Sequence, residues 1–271
     1  MSEKQRLSVS ALNMIVKCGE QYKRRYLNDE IIPPGFTLTV GKATHKSVER
    51  DLTHKIQKGE LLPNEAVRDI ARDALVAEWE TPLGVILEKE YAALGFKKAR
   101  AEAIDTCVTL SSLHHEEVAP AIEPTWVERF WRLDVEGTPV ELSGYIDIQE
   151  GARAIRDTKT SKKSPSSDEA DKSFQLSTYA MAVDAIDGAI PEKVCLDYLV
   201  HTKEPKLVQL ESKRTPADFA HVLRRIETAS LAIEKGVFTP APMDSWWCNP
   251  KYCGYHATCP YVKHPVSVTV P

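Results

Sequence analysis

No stretch of the 271-residue chain approaches the ~20 consecutive apolar residues that a membrane-crossing helix needs. The opening Met1-Ser2-Glu3-Lys4-Gln5-Arg6 is no secretory signal, so the expected compartment is the cytoplasm and no membrane partner is expected. Positive charge is not in surplus: 35 Lys and Arg stand against 39 Asp and Glu, a formal net charge of −4 that lends no support to a nucleic-acid partner. That balance excludes little, because an enzyme that holds metal with carboxylates need not be basic overall. There is no internal repeat and no Gly-x4-Gly-Lys-Ser/Thr phosphate loop, so nothing points to a built-in ATPase motor. The six cysteines of a chain expected in the cytosol argue against a disulfide framework and for metal binding or buried thiols.

What is present is ordinary globular material, 42% hydrophobic and 27% charged, enough for one core or one core with a helical insertion. Local basic clusters, at Lys23-Arg24-Arg25, at Lys97-Lys98 with Arg100, and at Lys159, Lys162 and Lys163, read as solvated faces. Ser8 or Ser10 can cap a helix running through Leu12, Ile15, Val16 and Tyr22 to about Asn28. Pro33-Pro34-Gly35 breaks the chain, and a second helix carries Thr44, His45, Val48 and Leu52. Residues 64–117 have helical spacing and few breakers, which predicts two or three more helices in an inserted layer. From Thr125 the period changes to that of strands, at 126–133, 139–148 and 153–160. A helix with Phe174, Leu176, Tyr179, Ala180 and Val183, a strand at 193–200 and a helix near 216–235 precede a Cys- and Pro-rich tail. The order predicts an α/β fold, a mixed central sheet with helices on its faces. We expect a single domain over 1–271: N-terminal helices (1–60), helical insertion (61–120), core (121–236) and Cys-rich tail (237–271).

The chemistry concentrates in Gly144-Tyr145-Ile146-Asp147 and Ile155-Arg156-Asp157-Thr158-Lys159-Thr160. Asp157 and Lys159 are two apart on a strand and share a face. Glu150-Gly151 offers a turn that folds this strand against the one carrying Asp147, bringing the carboxylates within roughly 5–8 Å. Two hard anionic ligands so close suit a divalent cation such as Mg²⁺, with a lysine alongside for a phosphate or a water. The blander reading, a solvated surface ion pair worth ~0–1 kcal/mol, stands beside it.

Cys248, Cys253 and Cys259 make a second constellation, interleaved with Gly254 and Pro250 and accompanied by His256. These four form a local Cys₃His zinc set; alternatively, Cys18 supplies a fourth thiolate for a [4Fe–4S] cluster. Cys107, in a helical apolar pattern, and Cys195, in a strand-like run, read as core thiols.

Taken in order, these motifs resemble the PD-(D/E)xK nuclease superfamily, in particular its RecB-type exonuclease branch. The match runs from Ser8, Ser10, Leu12, Cys18 and Tyr22 of the opening helix, through Gly41-x-x-x-His45, Gly144-Tyr145-Ile146-Asp147 and Asp157-Thr158-Lys159-Thr160, to Gln175-x-x-x-Tyr179. The resemblance implies a restriction-endonuclease-like core and a metal-dependent DNA exonuclease that leaves a 5′-phosphate and a 3′-hydroxyl, in recombination, repair or phage DNA metabolism. It implies Mg²⁺ or Mn²⁺ held by His45, Asp147, Asp157 and the Thr158 carbonyl. Lys159 would orient the attacking water, and Gln175 and Tyr179 would bind DNA or brace the site. It also implies an iron–sulfur cluster on Cys18, Cys248, Cys253 and Cys259, although Cys18-Gly19 replaces the family's Cys-Pro and Cys-x4-Cys-x5-Cys replaces its more frequent Cys-x2-Cys-x5-Cys. DNA ends, single- or double-stranded, are the implied partner; a helicase, an annealing protein, an integrase and a homo-oligomer stay open. Three other readings remain: a structure-specific endonuclease, a non-catalytic nucleic-acid-binding or adaptor protein that keeps the fold, and a zinc-stabilised interaction module.

Overall fold

The computed structural model describes residues 4–263. Strands are β1 (Gln5–Ser8), β2 (Trp126–Asp134), β3 (Val140–Glu150), β4 (Ala154–Ser161), β5 (Lys193–Val200) and β6 (Lys206–Ser212). Helices are α1 (Val9–Lys17), α2 (Gly19–Tyr22), α3 (Phe36–Lys58), α4 (Asn64–Trp79), α5 (Lys89–Ala92), α6 (Phe96–Glu117), α7 (Glu169–Lys172), α8 (Phe174–Asp187), α9 (Pro216–Lys235) and α10 (Pro260–Lys263). The strands form one mixed sheet: β1 and β4 both lie on one edge of β3, β2 runs antiparallel along its other edge, and β5 and β6 extend the sheet beyond β4. Among the described residues no helix is long and apolar enough to cross a membrane.

Helices cover both faces. On one, α1, α8 and α9 bury Leu12, Leu176, Tyr179, Val222 and Ile226 against Ile146, Ile155, Val194 and Leu196. On the other, α3, α4 and α6 pack together through Phe36, Val40, Leu75, Trp79 and Leu110, while Val48 and Leu52 of α3 meet Val127 and Ile148 of the sheet. The termini of α9 follow local chemistry. Pro216 opens it, the Thr215 N–H donates to the Asp218 carboxylate at 2.8 Å, and Gly236 closes it at φ 66°.

The opening helix departs from the sequence-based expectation of one run to Asn28. It breaks at Cys18, whose backbone is extended, and continues as α2 and a π-helical turn over 23–27. The cause is tertiary: the Gly19 N–H donates to the Thr239 carbonyl at 2.7 Å, and a Cβ on Gly19 would sit 2.7 Å from the Phe238 backbone. Two strands beyond the expected set are present, β1 at the start of the chain and β6 after β5.

Under the α3–α6 layer, Arg156 is buried, donating to Glu150 at 2.7 Å and to both carboxylate oxygens of Asp197 at 3.0 Å. Gln209 reaches the same Asp197 carboxylate at 2.8 Å. A buried charge tied this way fixes the register of β3 through β6, because shifting any one strand would strand an ion in the core.

Candidate metal centre

The centre lies where two paired strands part. β3 and β4 are paired only from Ile148↔Arg156 to Glu150↔Ala154, whereas β4 pairs with β5 along its whole length, from Ala154↔Lys193 to Ser161↔Val200. The Thr158 N–H lies beyond that pairing with β3, and it donates to Asp147 Oδ2 at 3.0 Å. A strand backbone thereby aims one carboxylate into the opening.

β2 adds a second irregularity. Its register against β3 runs unbroken on either side of position 128, and Glu128, opposite Asp147, has φ 49°. A non-glycine residue at positive φ inside a strand is strained by ~1–3 kcal/mol and clusters at functional sites. β3 is irregular at the same level: Ile146 lies in the α8 layer and Ile148 in the α3 layer, although residues two apart in a regular strand share a face.

α3 brings His45 over the gap, with Nδ1 at 3.3 Å from Asp147 Oδ2. Gly41, one turn earlier, permits the approach, since a Cβ there would lie 3.3 Å from Thr160 Oγ1. Ligand atoms of His45, Glu128 and Asp147 all fall within 4.8 Å of one another. Asp157 lies under them at 1% exposure, its Oδ2 2.6 Å from Lys159 Nζ. Lys159 donates onward to Gln175 Oε1 at 2.8 Å, and Gln175 Nε2 to the Tyr179 hydroxyl at 2.7 Å. An open cleft between α3 and the strand ends exposes the group to solvent, lined among others by Lys42, His45, Lys46, Glu128, Thr158 and Lys159.

The electrostatics are those of carboxylates crowded without enough positive charge. Burial first, then the Asp147 charge, push Asp157 up to about 6 despite Lys159. The same two causes push Glu128 up to about 7. Burial pulls Lys159 down, but the Asp157 carboxylate outweighs it and holds the ammonium form. Burial, then Asp157 and Asp147, raise the Tyr179 hydroxyl, which stays protonated. Hard oxygen and imidazole donors that repel one another are what a small divalent cation relieves, so the residues fit Mg²⁺ or Mn²⁺.

The structure thus brings together His45, Asp147, Asp157, Thr158, Lys159, Gln175 and Tyr179. Glu128 escaped the sequence reading; its signal is positional, a glutamate that falls opposite Asp147 once β2 is laid antiparallel on β3.

Cys18, Cys248, Cys253 and Cys259 line a separate pocket with His256, between α1–α2 and the tail. Cys18 Sγ accepts the Ala241 N–H at 3.3 Å, and Gln21 Nε2 lies 3.0 Å from Cys253 Sγ. Burial, followed by the other three cysteines, raises the Cys248 thiol. Cys107 and Cys195 are core thiols, pushed by burial up to about 12 and about 11.

The family model of the PD-(D/E)XK nuclease superfamily matches residues 6–260. The chain belongs to that superfamily. Among solved structures it resembles a crystal structure described as a "Putative exonuclease" from Eubacterium rectale, at TM-score 0.55 and 14% identity, over 98% of this chain and 92% of the other. SSO0001 aligns at TM-score 0.44 and 16% identity, over 96% of this chain and 88% of that one. At these identities the likeness to the first speaks to the fold alone. A search of curated proteins found no match.

Proposed function

We propose that the chain is a metal-dependent DNA exonuclease of the RecB type. On this reading it hydrolyses phosphodiester bonds to leave 5′-phosphate and 3′-hydroxyl ends, in recombination, repair or phage DNA metabolism. The observation that carries the reading is the convergence, in a nuclease fold and beside one open cleft, of His45 and Asp147 with buried Asp157, which feels both their charges and has an ammonium 2.6 Å away. His45, Asp147, Asp157 and the Thr158 carbonyl would hold Mg²⁺ or Mn²⁺, with Glu128 beside them. A bound ion of this kind polarises a phosphate oxygen and acidifies water. Lys159, fixed between Asp157 and Gln175, stays charged and presents its ammonium where charge builds on the phosphate. Gln175 and Tyr179, one turn apart on α8, hold that lysine in place.

For the cysteine pocket, a [4Fe–4S] cluster on Cys18, Cys248, Cys253 and Cys259 is the favoured occupant. What supports the cluster is that Cys18, distant in sequence, lines the same pocket as Cys248, Cys253 and Cys259.

Anaerobically purified protein, incubated with end-labelled linear DNA and Mg²⁺ or Mn²⁺, should release nucleotides from an end. Lys159→Ala should lose at least ~10²-fold in rate. Internal cuts would instead favour the endonuclease reading, and DNA binding without any cleavage the adaptor. A colourless, zinc-loaded preparation would sink the cluster.

A further inference from the structure

Beside the metal centre stands a pair of aromatic rings that the hydrolytic chemistry does not use. Phe130 and Tyr145 face each other across β2 and β3, two residues along each strand from Glu128 and Asp147. They are 51% and 54% exposed, with ring centroids 5.3 Å apart and planes inclined at 57°. Their side of the sheet follows from packing. Gly144 faces Trp131, which lies in the α8 layer with Ile146, so Tyr145 between them points the opposite way, and Asp147 is placed on that same side by its contact with His45 of α3. The rings and the ligands therefore share one surface.

The next residues on that surface are cationic. Arg132 follows Phe130 by two and reaches Glu141, which also takes the guanidinium of Arg6 at 2.8 Å; the two arginine side chains are 58% and 61% exposed. Moving away from the metal centre along the strands, one meets ligands, then rings, then guanidiniums, at steps of ~7 Å for every two residues. Rings that accept base faces, alternating with cations that follow the phosphates, are how proteins hold single strands. A blunt duplex keeps its bases stacked on each other and leaves such rings idle.

We propose that Phe130 and Tyr145 form a stacking platform for an unpaired base next to the scissile phosphate, which makes single-stranded DNA the preferred substrate. Their planes are too steeply inclined for both to lie flat on one base, so one ring offers its face and the other closes the side. Arg132 receives a phosphate one step further out. The proposal rests on the nuclease reading above and names the substrate form for that same site.

The test uses full-length Lys159→Ala protein with Mg²⁺, to bind without cutting, and short single-stranded and blunt duplex oligonucleotides carrying terminal 2-aminopurine. Adding Phe130→Ala or Tyr145→Ala should weaken single-strand binding about tenfold and remove the quenching of 2-aminopurine, while duplex binding stays within about twofold. Tyr145→Phe should retain both affinity and quenching. Unchanged single-strand affinity in the alanine variants, or equal losses on both substrates, would overturn the platform. Thermal melts at the parent's midpoint keep unfolding out of the comparison, and half-exposed rings make such melts the expected result. Cleavage of DNA by the wild type alongside unaltered ring variants removes the platform alone. Neither binding nor cleavage by the metal-loaded wild type removes the nuclease reading with it.

Discussion

The metal centre and the cysteine pocket are built in opposite ways. The first draws its groups from regular elements, three strands and the helices α3 and α8, already held by ladder hydrogen bonds and a buried Arg156 network. Its donors are hard, partly buried and mutually repulsive. The second draws soft donors from the end of α1 and a tail of turns and short helical pieces. The first is held by its elements whether or not an ion is present; the second, on the proposed reading, depends on the group it binds. Removing a group from each should therefore separate activity from stability.

The largest effect is expected from Asp157→Asn. Cleavage should fall at least ~10³-fold, followed with end-labelled DNA. The metal-free fold should become more stable, because the wild-type carboxyl titrates near 6 in the fold against 3.8 ordinarily. Below the lower value the group is neutral in both states and costs nothing. As pH rises through the higher one the fold must bury a charge, so stability declines across that window and levels off above it. Melting curves of metal-free protein from pH 4 to pH 8 should show this slope for the wild type and not for the variant. An activity loss accompanied by destabilisation would erase the contrast between the sites.

A smaller, opposite response is expected from Cys253→Ser. If the pocket is a structural site, the variant loses visible absorbance and about 2 kcal/mol or more of stability in denaturant titration. Its rate per folded molecule at low temperature should remain near that of the wild type. Smallest is Glu128→Gly, which relieves the positive φ and should add about 1 kcal/mol of stability. Calorimetry should find its metal affinity reduced; unchanged affinity would take Glu128 out of the ligand group.

These contrasts also sort what the sequence could reveal. Helix α9 was legible to its ends, because Thr215, Pro216, Asp218 and Gly236 are local signals. The Asp157–Lys159 strand and its turn were legible from period and turn residues. β1 is four residues long, and β6 is a half-exposed edge whose short apolar stretch, Leu207, Val208 and Leu210, is flanked closely by charge, so neither stood out. The break at Cys18 was hidden because a contact with Thr239 makes it. Glu128 was hidden because its importance lies in a backbone angle and a cross-strand neighbour.

Cys18 and the cysteines it faces are separated by more than two hundred residues of chain. A ribosome exposes the first long before it makes the last, so the complete pocket exists only after every strand of the sheet has been made. The sheet can then be present, in outline, while the last cysteines are still being synthesised. Order of synthesis thus makes closing the pocket a late step, one that a prematurely terminated chain never reaches.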